Sequence, residues 1–365
     1  MGDCGRNRCH PYLPVHLSAP TIDTVHAPAL RRLSVPAQRR FTFVAALTQA
    51  GIAVTGAVVR VTGSGLGCPT WPQCFPGSLV PTGTTSVPAY EQAIEFSNRM
   101  LTYVVTIAAV AALLVVLGAG RRHQLKRYAW SLPLGTVVQA VLGGFTVLTG
   151  LVWWTVALHL LVSTVLVWLA VQLHVGVAQP DAPRAHTVVA GPLRGLLAFA
   201  TVTMSALLVA GTLVTAAGPH AGNAKTTRLN VSIPALTQLH ADLLVGYLGL
   251  LVGLYFALRA TAGPAAVLRQ WWVLMAVVLA QGAVGVVQYF TGVPEVLVAV
   301  HVAGACAVTA AMATLWARTR VRVAMSEVAG LVADAAGRTR TPGRALSPSG
   351  GRDSRPSSCA AQVAR

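Results

Sequence analysis

Eight apolar runs, each close to the length a helix needs to cross a bilayer, leave this chain few ways to fold. They lie at about residues 41–62, 98–118, 129–149, 154–176, 193–216, 238–260, 270–291 and 296–317. A helix of about 20 residues spans a hydrocarbon core roughly 30 Å thick. In lipid, only a helix satisfies every backbone donor and acceptor within one exposed segment. The alternating apolar and polar residues of membrane-barrel strands are not seen. Composition agrees: 54% of the 365 residues are hydrophobic and 10% are charged, where a soluble chain carries about a quarter charged. The expected fold class is an all-α integral membrane protein, multi-pass in the cell membrane, with eight transmembrane helices.

The formal net charge of +17 invites a nucleic-acid partner, but its distribution argues for none. The basic residues sit in short connections and in the two tails, as the positive-inside bias requires, where they also attract anionic lipid of the bilayer. Arg31, Arg32, Arg39 and Arg40 precede the first run, and Arg121, Arg122, Lys126 and Arg127 lie between the second and third. Arg184, Arg194, Arg259, Arg269, Arg318 and Arg320 continue the pattern on alternate connections, with Lys225 and Arg228 as exceptions on the opposite side. Both termini are therefore expected in the cytoplasm. Residues 1–38 and 320–365 read as disordered cytoplasmic tails; the first lacks the apolar core of a secretory signal. Cys4, Cys9 and Cys359 lie in these tails, and Cys306 reads as a small core residue.

The region between the tails repeats. Gln139, Gly143, Thr149, Gly150 and His159 recur as Gln281, Gly285, Thr291, Gly292 and His301, each pair 142 residues apart. The same offset carries Asn98 onto His240, while the stretch from Gly56 to Gly63 matches Gly211 to Gly218 at an offset of 155. The first outer loop is thus longer by 13 residues. The expected architecture is two four-helix bundles, residues 39–178 and 179–319, related by a pseudo-twofold axis along the membrane normal.

Histidines inside a membrane are costly and mark functional positions. His159, His240 and His301 each fall within a turn or two of the outer end of a run, and His240 and His301 are 61 residues apart, as are Asn98 and His159. The plainer role is interhelical hydrogen bonding. Repetition by internal symmetry favours an axial pair for heme iron instead, since no carboxylate or cysteine accompanies His240 and His301 at metal-site spacing. His123, His174, His186 and His220 lack that symmetry and read as solvated.

Glu95, Asn98 and Arg99 share one face at the start of the second run. An acidic first turn that complements the helix dipole is the plain alternative to a catalytic role for Glu95. Arg60, near the outer end of the first run, reads first as a snorkelling residue; the other reading pairs it with Glu95 or a heme propionate. Cys68 and Cys74 flank Pro69, Trp71 and Pro72 in one outer loop, either as a structural staple or as a redox-active pair.

The combination resembles the heme A synthase family over residues 41–317. GAVVRVTGSGLGCPTWPQC, residues 56–74, is similar to that family's first helix and cysteine-bearing loop. IEFSNRML, residues 94–101, is similar to the start of its second helix, and ALHLLVS, QLHADLL and VHVAGA to its histidine segments. The resemblance implies oxidation of the C8 methyl of heme O, the substrate, to the formyl group of heme A for cytochrome c oxidase. It also implies heme O synthase (protoheme farnesyltransferase) and cytochrome c oxidase assembly as partners. By motif match, His240 and His301 would ligate a heme b cofactor in the second bundle. His159 would face the substrate iron in the first bundle, Glu95 would be the catalytic carboxylate, and Cys68 and Cys74 would form the family's disulfide. Asn98 stands where the family often has histidine; an amide is a poor iron ligand, so either His159 alone would hold the substrate iron and leave its other face open, or this half no longer does chemistry, against which Glu95, Cys68 and Cys74 argue. The competing readings are a diheme cytochrome b taking electrons from quinol, and a transporter without heme.

Overall fold

In the computed structural model, which describes residues 33–83, 86–182 and 184–323, the apolar runs become eight helices. They are α1 (Val35–Val61), α2 (Ala89–Gly118), α3 (His123–Leu148), α4 (Trp153–Val177), α5 (Gly191–Ala217), α6 (Ile233–Ala260), α7 (Ala265–Phe290) and α8 (Glu295–Arg318). At 24 to 30 residues, each is about 36–45 Å long, enough to cross the hydrocarbon core. Prolines mark several starts, at or near the first turn of α1, α5 and α6 and just before α2, α7 and α8, where a missing N–H costs nothing. The burial pattern is that of a protein solvated by lipid. No more than 39% of any spanning window is buried within the protein, and Ile107, Leu134, Val245 and Phe256 face outward with about two-thirds of their surface exposed. In water such a surface would drive aggregation; the chain is a multi-pass membrane protein.

Each half has its packed core at the end that carries the basic loops. In the first half, Ala109, Ala112 and Val116 of α2 meet Leu125, Ala129 and Leu132 of α3 and Ala170, Leu173 and Val177 of α4. Small residues there let backbones approach, which is how helices gain contact where lipid supplies no hydrophobic drive. In the second half, bulkier residues do the same work: Leu197, Tyr247, Leu251, Trp271, Leu274, Met312 and Leu315. The opposite end of both halves is less filled, and it is where His159, His240 and His301 lie.

The turns that join α3 to α4 and α7 to α8 are copies. Gly150 and Leu151 have φ of 70° and 62°; Gly292 and Val293 have 75° and 62°. Leu151 N–H bonds Thr146 O at 2.9 Å, and Val293 N–H bonds Gln288 O at 2.8 Å. The repeat read in the sequence is thus a repeat of backbone conformation at these turns. Helix packing differs between the halves, however. α1 packs along both α2 and α4, whereas α5 packs along α6 and scarcely reaches α8, and α6 touches α7 only lightly. The second half is therefore two helix hairpins joined chiefly by the core at the basic end, where Trp271 Nε1 donates to Leu251 O. The halves meet where α1 and α4 pack on α8.

At the basic end, two short strands, β1 (His186–Thr187) and β2 (Arg320–Val321), pair antiparallel and tie the α4–α5 connection to the exit of α8. Asp181 lies 3.2 Å from Arg121 Nε and 3.3 Å from Arg122 Nη1, and Arg322 donates to Ala182 O and Gln124 Oε1. Two boundaries shift from the sequence reading: α1 begins at Val35, inside the segment taken as tail, and residues 320–323 are ordered by this pairing. The remainder of both tails, with Cys4, Cys9, Arg31, Arg32 and Cys359, lies outside the described residues.

Candidate functional site

His240 on α6 and His301 on α8 face each other with ring centroids 6.3 Å apart. Two metal–imidazole bonds of about 2.0–2.1 Å, with the half-width of each ring added, would put an axial pair at roughly this separation. His240 Nδ1 lies 3.1 Å from Leu207 O. A carbonyl only accepts, so that nitrogen carries the proton and Nε2 is left with its lone pair, the usual second-shell arrangement for a ligating histidine. His301 Nδ1 is buried without a partner among the described residues, and such an orphaned ring nitrogen in a native interior calls for an explanation. No group of three or more His, Cys, Asp or Glu that could hold a bare metal ion occurs among the described residues. A facing pair with nothing else fits heme, whose macrocycle supplies the remaining ligands.

The rings rest on glycines. A methyl group at Gly211 would come 3.1 Å from His240 Cε1, and one at Gly285 would come 3.1 Å from His301 Cε1. His159 repeats the arrangement in the first half, where a methyl group at Gly143 would come 3.3 Å from its Cε1. The glutamine in each unit acts alike as well: Gln139 Nε2 donates to His159 O at 2.9 Å, and Gln281 Nε2 to His301 O at 2.8 Å. His159 and His301 therefore sit in the same local frame, and His159 Nδ1 is likewise buried and unpartnered. Asn98, at the position equivalent to His240, accepts a 2.7 Å hydrogen bond from Thr55 Oγ1 of α1.

Beside this first-half site lies the outer loop. Cys68 and Cys74 are disulfide-bonded, with Cα atoms 4.3 Å apart, and pack on Phe75, Val87 and Phe96. Glu95 is buried and both its oxygens are engaged. Oε2 accepts from Cys68 N–H at 2.8 Å, and Oε1 is held by Arg99 Nη2 at 2.6 Å and Nε at 3.1 Å. Arg99 then donates to three loop carbonyls, Cys68, Thr70 and Gln73. The loop so held lays Trp71 against Gly144 of α3, where any side chain would collide with the indole. Gly144 adjoins Gly143 in α3, so the loop packs on the same helix that carries the glycine facing His159.

Arg60 is the clearest departure from the sequence reading. It is not paired with Glu95, which belongs to Arg99, and it does not snorkel. Its Nε donates to His220 O at 2.7 Å and its Nη2 to Thr215 O at 2.8 Å, so it bridges to the second half. His220, read as solvated, lies with Nε2 2.8 Å from Val293 O, and His174 lies with Nδ1 3.2 Å from Thr42 Oγ1. His123 and His186 are exposed as expected, and Cys306 is buried and free. The roles of Arg99 and Thr55 were missed. Arg99 was visible at i+4 from Glu95, and Thr55 stands next to the repeated Gly56, but nothing in the sequence names the carbonyls and amide they contact.

Comparison with known sequences follows the same pattern. The model of the COX15-CtaA family, cytochrome oxidase assembly protein, matches residues 39–232. A heme A synthase of Alkalihalophilus pseudofirmus is 34% identical over 135 residues, 34% of this chain and 42% of the relative. One from Exiguobacterium sibiricum is 28% identical over 169 residues, 46% and 54% of the two chains. One from Lysinibacillus sphaericus is 35% identical over 116 residues, 31% and 36% of the two chains. The matched stretches thus span about half or less of these relatives' lengths.

Proposed function

Because the chain belongs to the cytochrome oxidase assembly protein family, we propose that it is a heme A synthase, oxidising the C8 methyl of heme O to the formyl group of heme A for cytochrome c oxidase. The observation that carries this reading is the facing His240–His301 pair, 6.3 Å apart on paired glycines, together with its partial copy around His159. In this reading His240 and His301 hold a heme b in the half spanning residues 179–319, and His159 holds the substrate heme in the half spanning 39–178. The pseudo-twofold relation of the halves is part of the proposal. Heme supplies the redox chemistry for attack on an unactivated methyl, which no side chain can provide.

The chain's own residues bind, orient and enclose. A farnesyl-bearing substrate already favours the apolar phase, by about 0.8 kcal/mol per buried methylene, and the lipid-solvated helices keep it there. Gln139 and Gly143 fix the position of His159. In this reading Glu95 places its carboxylate beside the first-half site and, with Arg99, holds the disulfide loop and Trp71 against α3. Glu95 is the group able to accept or return a proton there, at Oε1 or Oε2, at the cost of the contacts that latch the loop. The basic loops face the cytoplasm, which puts both termini inside and the histidine sites toward the outer leaflet. Heme O synthase and the oxidase assembly machinery are the partners this reading implies.

The deciding experiment is co-expression with a source of heme O, then pigment extraction and chromatography that separates heme B, O and A. Formation of heme A dependent on this chain is the expected result. Bound heme without heme A, with reduction by quinol, would replace this reading with the diheme cytochrome.

A further inference from the structure

The two halves treat equivalent positions differently, and the difference falls at one spot. In the second half, His240 stands over Gly211. In the first half, Asn98 takes the place of His240 and Gly56 the place of Gly211, and a methyl group at Gly56 would meet nothing within 4 Å. The shorter side chain leaves the space an imidazole fills in the other half. The residue before each glycine changes with it: Thr55 in the first half, Ala210 in the second. A hydroxyl therefore appears only where the histidine is missing.

That hydroxyl sets the amide. Thr55 Oγ1 is 2.7 Å from Asn98 Oδ1, and a carbonyl oxygen held this way turns Nδ2 away from Thr55. Both Nδ2 hydrogens are without a partner among the described residues. The nearest acid on the same helix, Glu95, is engaged by Arg99 and Cys68 N–H, so the donor is a neutral one in a neutral setting. An oriented amide N–H beside open space suits a small ligand with an acceptor atom; with no cationic side chain bonded to Asn98 among the described residues, a neutral ligand is favoured over an anion.

We propose that the first-half heme site binds a small neutral molecule of the dioxygen or carbon monoxide class opposite His159, with Asn98, oriented by Thr55, as its hydrogen-bond donor. This rests on the heme reading above and deepens it. The second-half site, closed by two histidines, takes no such ligand.

The probe is carbon monoxide added to the reduced, heme-loaded full chain, followed by absorption spectroscopy. Wild type should bind carbon monoxide at one of its two hemes. Asn98→His should abolish that binding while total heme is kept, because the added imidazole fills the position. Asn98→Leu and Thr55→Ala should keep binding but speed carbon monoxide release by a factor of about 2–10, the worth of one hydrogen bond. Two hemes present with no carbon monoxide bound in wild type would overturn the proposal, as would Asn98→His that binds like wild type or release rates unmoved in both Asn98→Leu and Thr55→Ala. A preparation that holds no heme at all would overturn the functional reading and this inference with it.

Discussion

At the scale of single residues, the site is built by pairs that the sequence shows only by half. The histidines and their glycines were legible because each recurs at a fixed offset, as with Gly143 and Gly285. Removing that fit has a defined consequence. Gly285→Ala puts a methyl group 3.1 Å from His301 Cε1, so the ring must tilt, whereas Gly253→Ala on α6 meets open space. A redox titration should show a shifted heme midpoint potential in Gly285→Ala and none in Gly253→Ala; equal behaviour would remove the glycine from the ligand frame. Glu95 was legible as a candidate, but its engagement by Arg99 and by Cys68 N–H was not, since a backbone donor leaves no signature in sequence. Glu95→Ala discards a charge-assisted contact on each side, about 1.5–3 kcal/mol apiece. It should keep the heme at His240 and His301, lose heme A formation, and raise hydrogen exchange across residues 67–75. Normal heme A yield would take Glu95 out of the mechanism.

At the scale of helices, the eight spans were legible from length and hydropathy, and their ends were not. α1 starts earlier than the apolar run because Gln38 and Thr42, polar by type, are buried there. Gln38 Nε2 donates to Leu33 O, and Thr42 Oγ1 lies within reach of His174, so these polar groups are satisfied inside the protein. Equal repeats also did not foretell unequal packing: α1 lies along α4, while α5 and α8 stand apart. If heme joins the two hairpins of the second half, its loss should loosen that half selectively. His301→Ala is expected to lose the retained heme and to show faster exchange or proteolysis in α5–α8 than in α1–α4. Uniform loosening of both halves, or full heme occupancy, would contradict the ligand assignment.

At the scale of the whole molecule, charge gathers at one end. Arg121, Arg122 and Arg322 lie there in one knitted surface around Asp181 and the β1–β2 pair, and the histidine sites lie at the other end. A fluorescent reporter fused after residue 365 should fold and glow, and a periplasmic phosphatase fused there should be inactive; the reverse outcome would invert the orientation and place the histidines on the inner side. Arg60 reaches from α1 to the carbonyls of Thr215 and His220 at the histidine end, while β1 and β2 join the connection between the halves to the exit of α8 at the basic end. Transporters built from repeats carry cargo by rocking one repeat against the other. A chain bolted across its seam near both membrane faces is held against that rocking, so the placement of one half on the other is set by the fold rather than by a cargo.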